Sequence, residues 1–192
     1  MASTRRGLLS MVLLATTLAA CEAHVLAVPP PHLDGVPRPL SGSVPVSISV
    51  EVQDPPVVGE MVGGTGWDMG YDYTVPDLRD GVRDHVAAAV VAFGLEPRPQ
   101  ARLSLRVQAE PYVRVRESQG GLTLASVVGT MTLSDERGTL FEAPLLGRVR
   151  RDGKLDPGAA FQALDDALVA WFRALDAKIR SQPEVAQRLR ER

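Results

Sequence analysis

One cysteine in 192 residues, at position 21, removes the disulfide from the devices that could hold this chain together. Whatever folds here has to be held by an ordinary apolar core. Aromatic side chains make up only 5% of the chain, with two Trp, three Tyr and four Phe. Val, Leu and Ala must therefore supply most of the buried volume. The periodic segments begin only after position 43, and a stretch of roughly 140 to 150 residues is long enough for one domain that buries close to 70% of its unfolded surface.

The residues around that cysteine have their own logic. Arg5 and Arg6 open a short basic region, Gly7 to Ala20 form a mostly apolar run, and Leu18-Ala19-Ala20 place small side chains directly before Cys21. An apolar run of about 14 residues is shorter than the roughly 20 a helix needs to span hydrocarbon. The pattern resembles a bacterial lipoprotein signal peptide over residues 1–20, with Leu18-Ala19-Ala20-Cys21 as its lipobox. That resemblance implies cleavage before Cys21, a diacylglyceryl group on its sulfur and an acylated new amino terminus. Each buried methylene of such chains contributes about 0.8 kcal/mol, so two or three chains hold a protein on a membrane essentially permanently. Thr4 to Leu9 also loosely resemble a twin-arginine export motif, although an ordinary basic start explains them with fewer assumptions. Glu22 stands where many enteric lipoproteins carry an inner-membrane retention aspartate, which implies the outer membrane, on its periplasmic face.

Charge excludes one class of partner. The first 20 residues hold two of the 21 basic residues and none of the 23 acids, so the processed chain has 19 against 23, a net of −4. Such a surface has no gross attraction for nucleic acid.

From position 21 to 43 the chain carries Pro29-Pro30-Pro31, Pro37 and Pro39, with Gly35 and Gly42 and no sustained apolar period. This composition predicts a Pro-rich tether between lipid and domain. Val46, Ile48, Val50 and Val52 then alternate with polar residues, as in a half-buried strand. Residues 54–73 hold Pro55-Pro56 and five glycines and read as a long irregular loop. A helix is expected from the Thr74/Asp77 start through Leu78, Val82, Val86, Ala89, Val90 and Phe93, ended by Gly94. Leu103, Leu105, Val107 and Ala109 predict a second strand, continuing past Pro111 toward Val115. Gln119-Gly120-Gly121 turn the chain into a third strand, 122–133, that is apolar on both faces. Asp135 to Gly138 make a hairpin loop into a fourth strand, about 139–149, where Pro144 indicates an edge position or a bulge. Asp156-Pro157 start a second helix along Phe161, Leu164, Leu168, Trp171, Phe172, Leu175 and Ile179. Pro183 interrupts it, leaving a charged tail over 183–192 in which Val185 and Leu189 mark a short terminal helix.

The order β-α-β-β-β-α predicts an α+β fold: a two-layer sandwich with a four-stranded mixed sheet and two helices on one face, in a single domain over 44–182. Polar alternates on the first two strands leave the other face to water. The first two strands should be parallel through a right-handed crossover, and the last three an antiparallel meander. One apolar side of the third strand, either Leu122, Leu124 and Val128 or the alternate side with Ala125, Val127, Met131 and Leu133, then has no cover. A bulge near Ser126 to Gly129 that switches parity, or a seat for a partner, would account for it.

The lipobox at Cys21, the proline-bearing tether, the Asp77-Leu78-Arg79 helix start, its Gly94 end and the alanine-rich second helix near Ala159-Ala160-Phe161 resemble the YajG-like bacterial lipoproteins. The element order is also similar to the lipopolysaccharide-assembly lipoprotein that plugs an outer-membrane barrel and to auxiliary lipoproteins of envelope transporters. These resemblances imply a lipid-anchored domain of the cell envelope with no catalytic residues to carry over.

No chemical motif competes with that reading. Gly64 to Gly70 brush against a dinucleotide fingerprint, but the third glycine is one position late and no helix opens there. The loop does display Trp67, Tyr71 and Tyr73, which are candidate partner contacts. His24, His32 and His85 share no metal-ligand spacing, so neither a metal nor any other cofactor is expected. No Gly-x-Ser-x-Gly elbow is present. His85 reads as a partly buried helix residue, Asp165-Asp166 as surface charge whose members diverge by about 100 degrees, and Arg148, Arg150 and Arg151 as a solvated strand end. The expected function is non-enzymatic recognition of an unidentified envelope protein by a domain tethered to the membrane through Cys21. Its rival is a lipid or glycolipid carrier, or a transporter-auxiliary component, with an apolar groove between helices and sheet.

Overall fold

A computed structural model describes residues 28–53, 78–116, 122–152 and 158–191. The signal segment, the glycine-rich loop, the Gln119–Gly121 turn and the Asp156-Pro157 helix start lie outside them.

The first strand, β1 (Val44–Val52), leads to helix α1 (Leu78–Phe93). Gly94 ends that helix at φ 101°, a left-handed conformation that a side chain would disfavour, and its N–H donates to the carbonyl of Val91. A three-residue strand, β2 (Leu95–Pro97), follows at once, then β3 (Leu103–Arg116), β4 (Leu122–Asp135) and β5 (Gly138–Asp152). Helix α2 (Gly158–Ser181) and the short α3 (Pro183–Arg190) close the chain.

The expected arrangement of β1, β3, β4 and β5 is present. β1 pairs parallel to β3, with Val46 opposite Leu103, and β3, β4 and β5 form an antiparallel meander. Two details differ from expectation. The sheet has five strands, in the order β2-β1-β3-β4-β5, because Leu95–Pro97 pair parallel with Val44–Val46. Three residues ending in proline carry no visible alternation, so that strand has no periodic signature. The second difference is that the short terminal helix over 183–190 packs onto the domain as a third helix, where the expectation was a charged tail outside it. Val185 and Leu189 are buried, and the Arg188 guanidinium pairs with the carboxylate of Asp135 at the β4–β5 hairpin.

Pro144 lies on β5, which is an edge strand, where a missing ladder donor is tolerated. The hairpin is built around Asp135, whose side chain accepts the N–H of Arg137, and Gly138 at φ 120°. A register irregularity falls at Leu133/Ser134. It leaves Leu140 as an extra residue on β5, so Leu140 is buried next to the half-buried Phe141. The bulge expected at Ser126–Gly129 is therefore displaced to this end. Through 122–132 β4 alternates regularly, with Thr123, Ala125, Val127 and Met131 buried.

Both helices cover one face of the sheet, α1 against β1 and β2 and α2 against β3, β4 and β5. His85 meets Asp165 about two turns into each helix and Phe93 meets Phe172 about two turns further on, so the helices run in the same direction. The fit against the sheet is close at Gly147, where a β-carbon would lie 1.8 Å from the carbonyl oxygen of Ala163. Trp171 is buried between Phe141 and Phe172, and its indole N–H donates to the carbonyl of Met131 at 3.1 Å.

Candidate functional site: an open sheet face and a docked strap

Strand alternation that fills the core also fixes what the other face shows. Across β3, β4 and β5 one row reads Glu110, Val128, Leu146 and the next reads Tyr112, Ser126, Arg148. Val128 and Leu146 are 51% and 60% exposed and Tyr112 is also exposed. Leu122 and Leu124, on the same face of β4, are half-buried. The apolar second side of the third strand thus remains uncovered by either helix, and no parity switch removes it. Arg148 and Arg150 stand at the same end of this face, Arg148 making no ion pair or hydrogen bond among the described residues and Arg150 only a 3.9 Å approach to Asp152. Arg151, one residue on, turns to the helical side and donates to Gln162 at 2.5 Å.

The opposite end of the face is polar and internally paired. Arg106 donates to both carboxylate oxygens of Glu51, at 2.9 and 3.0 Å, and Gln108 donates to the same group at 3.0 Å. The Gln108 amide, with the Arg106 guanidinium beside it, holds the Glu51 carboxyl below the usual carboxylate range. One end of the face has already satisfied its charges. The other end has not.

The segment expected to be a tether departs most from expectation. From Val28 onward it lies in the groove between α1 and α2, on the side away from the sheet. Val28 packs over Gly81 and Phe161, Gly35 against Val169 and Arg173, and Leu40 against Gly94. Leu33, Val36 and Leu40 join the hydrophobic core, and Arg173 donates from Nε to the carbonyl of Gly35 at 3.0 Å. We refer to residues 28–40 as the strap.

Beneath the strap are two side chains that the sequence reading assigned to other environments. His85 is 1% exposed, not half-buried, and Asp165 is buried, not surface charge. The 100-degree divergence of adjacent helix positions still holds: it sends Asp166 into solvent and Asp165 inward. His85 Nδ1 lies 2.6 Å from Asp165 Oδ1, His85 Nε2 lies 3.0 Å from the carbonyl oxygen of Pro29, and the backbone N–H of His32 donates to Asp165 Oδ2 at 2.8 Å. The Phe161 ring packs 4.9 Å from the imidazole. His85 recurs three residues after Val82 and four before Ala89, so its place on the apolar stripe was the available signal. Asp165, four residues after Phe161 and three before Leu168, sits on its own stripe by the same spacing, but nothing in the sequence shows that two residues 80 apart meet.

Among the described residues no group of three His, Cys, Asp or Glu side chains could hold a metal ion, and no helix is long and apolar enough to cross a membrane. Cys21, Trp67, Tyr71 and Tyr73 lie outside the described residues. Between helices and sheet, a small apolar cavity near Val82, Pro111, Val127 and Phe161 holds about 10 Å³. A larger open groove, about 610 Å³, lies at the other end of the sheet, with Leu40, Pro45 and Leu103 on its walls beside Glu96, Arg98 and Arg190.

No family model and no curated protein matches the sequence. Among solved structures the chain is similar to protein XCC0632 from Xanthomonas campestris, of family DUF330, with a TM-score of 0.45 and 14% identity over 80% of this chain and 97% of that one. It is similar also to a minor lipoprotein from Acinetobacter baumannii, with a TM-score of 0.42 and 14% identity over 69% of this chain and 90% of that one. A third is the PelC dodecamer from Paraburkholderia phytofirmans, with a TM-score of 0.41 and 16% identity over 70% and 92%. No residue role is carried over from any of them.

Proposed function

We propose that this chain is a membrane-anchored bacterial envelope lipoprotein whose domain acts by recognition through the open face of its sheet. The observation that carries the reading is the exposed apolar group Val128, Leu146 and Tyr112, beside an Arg148 that has no partner among the described residues. A face of this kind fits a protein surface with an apolar centre and acidic groups at its rim, since the domain supplies the basic partner itself. The loop residues Trp67, Tyr71 and Tyr73 are a second contact with the same partner. Anchoring rests on Cys21 and its lipobox, and the periplasmic face of the outer membrane on Glu22. The domain needs no cofactor or metal for this role and is not an enzyme.

The lipid-carrier reading needs an apolar groove between helices and sheet, and the cavity described there, near Val82 and Phe161, is only about 10 Å³. Lipid co-purifying with the protein would restore it.

Two measurements test the proposal. Labelled palmitate should appear on the protein in growing cells and vanish with Cys21→Ser. A photoreactive residue at position 146 should crosslink in intact cells to one defined envelope protein, and a Val128→Glu variant should lose that adduct with its melting temperature nearly unchanged. An adduct equally strong from the exposed helical position 170, or loss of folding in Val128→Glu, would reject the interface.

A further inference from the structure

How a domain sits on a membrane depends on the length of chain between its anchor and its first packed contact. Here that length is short. Val28, seven residues after Cys21, packs over Gly81 and Phe161, about one turn into α1 and α2. Seven residues span at most about 25 Å. From Val28 the strap is held along its length. His85 Nε2 stands 3.0 Å from the Pro29 carbonyl oxygen, the His32 N–H donates to Asp165, Arg173 donates to the Gly35 carbonyl, and Leu40 packs against Gly94. The strap therefore runs from the starts of the helices to the end of α1, and the end nearest Cys21 is the one where the helices begin.

That end of the domain is rich in arginine. Gly147 lies against the Ala163 carbonyl and Arg151 donates to Gln162, so the last residues of β5 lie beside the start of α2. By register Arg150 stands opposite Leu124, and Leu124 opposite Arg114, with Arg116 one pair further out. Helix α1 adds Arg79 and Arg83. Arg79 is exposed and makes no ion pair or hydrogen bond among the described residues. Arg83 reaches Asp80 at 3.5 Å and Arg150 reaches Asp152 at 3.9 Å, all four side chains being more than half exposed. With Asp84, these two aspartates are fewer than the arginines around them. Arg148 and Glu110 stand further from this end and belong to the open face.

The opposite end is out of reach and has its charges paired. From Val127, which lines the small cavity with Phe161, the hairpin at Asp135 lies about eight residues, or roughly 27 Å, along β4. Arg188 pairs there with Asp135, and Arg137 with Glu191.

We infer that the domain stands end-on on the bilayer, its arginine-bearing end against anionic phospholipid headgroups. This orientation rests on the anchoring at Cys21 proposed above. The docked strap supplies the geometry, and the arginines supply the attraction, each basic residue near an anionic surface shifting the local equilibrium roughly fivefold. The open face, across the sheet from the strap, then stands along the membrane normal and meets a neighbour in the same membrane instead of lipid.

The test uses the acylated protein reconstituted into vesicles of phosphatidylethanolamine and phosphatidylglycerol that carry some headgroup-nitroxide lipid. Because lipid occupies Cys21, a cysteine introduced elsewhere is the one thiol open to a fluorophore. Fluorophores at the exposed positions 84 and 152 should be quenched, and those at the exposed positions 38, 136 and 146 should not. A long Gly-Ser insertion between residues 27 and 28 removes the constraint of length. Quenching at 84 should then depend on phosphatidylglycerol and fall at least about fivefold when Arg79→Glu and Arg150→Glu are combined. Quenching at 38 or 136 equal to that at 84, or quenching at 146, in an acylated and vesicle-bound protein overturns the orientation and leaves the anchoring standing. Quenching at 84 in the lengthened chain that ignores phosphatidylglycerol or the charge reversals overturns the headgroup contact. A protein found without acyl chains on residue 21 overturns the orientation and the anchoring together.

Discussion

Leu145 and Leu146 are neighbours in the chain and opposites in the fold. The first is fully buried against α2; the second is 60% exposed on the open face. The same contrast runs through the whole sheet, because a strand turns alternate residues to opposite sides. On the helical side large apolar residues are packed, Phe93 against Phe172 and Trp171 against Phe141, and the absence of a side chain at Gly147 admits the Ala163 carbonyl. On the open side Val128, Leu146 and Tyr112 are exposed. Stability is concentrated on one face, and apolar surface with no structural duty is left on the other. A chain with a core already complete gains little from those residues as a monomer.

Substitutions in pairs across the sheet test the contrast. The largest effect is expected at the covered face: Phe172→Ala should lose about 3 to 5 kcal/mol and Leu145→Ala about 2 to 5 kcal/mol in urea unfolding, from lost burial plus the cavity left behind. Gly147→Ala should cost less, about 1 to 3 kcal/mol, because its β-carbon can be admitted only by moving α2 away from β5. If Leu146→Ala on the open face costs as much as Leu145→Ala, the contrast is broken; the expected change is within about 0.5 kcal/mol.

The smallest effect concerns the edge of the covered layer. The Arg188 guanidinium, hydrogen-bonded to Asp135 at the hairpin, holds that carboxyl below its usual range, and the Arg137 N–H adds to this. A lowered value in the folded state means the contribution is present above the ordinary carboxylate range and is lost as pH falls through the lowered value. Asp135→Asn should therefore melt slightly below the wild type at neutral pH, and the two should converge in acid. A difference that persists unchanged at strongly acid pH would show that the hairpin turn, not the ion pair, depends on Asp135.

How much of this could be read in advance follows from which signals are local. Alternation along Val46 to Val52 and Leu103 to Ala109, the stripe from Val82 to Phe93, Gly94 as a terminator and Pro144 as an edge marker are all contained within a few residues. Each led to the right element. β2 failed because three residues show no period. The strap failed for a different reason: prolines predict extended backbone, and an extended segment is as suited to lying in a helical groove as to standing in water. Composition alone does not separate the two; Leu33, Val36 and Leu40 were the available hints. The His85–Asp165 pair was hidden because it joins residues 80 positions apart, and only the packing of α1 beside α2 brings them together. On the open face the doubly apolar third strand was legible, but alternation alone does not say which side the helices cover, and the bulge offered to explain it sits elsewhere.

β5 has a consequence beyond its own pairing. A 15-residue strand at the rim of a sheet is a template on which a second identical strand could register. Here Pro144 removes a backbone donor near its middle, and Arg148 and Arg150 put positive charge toward its far end. A rim of this kind works against edge-to-edge pairing between copies of the domain.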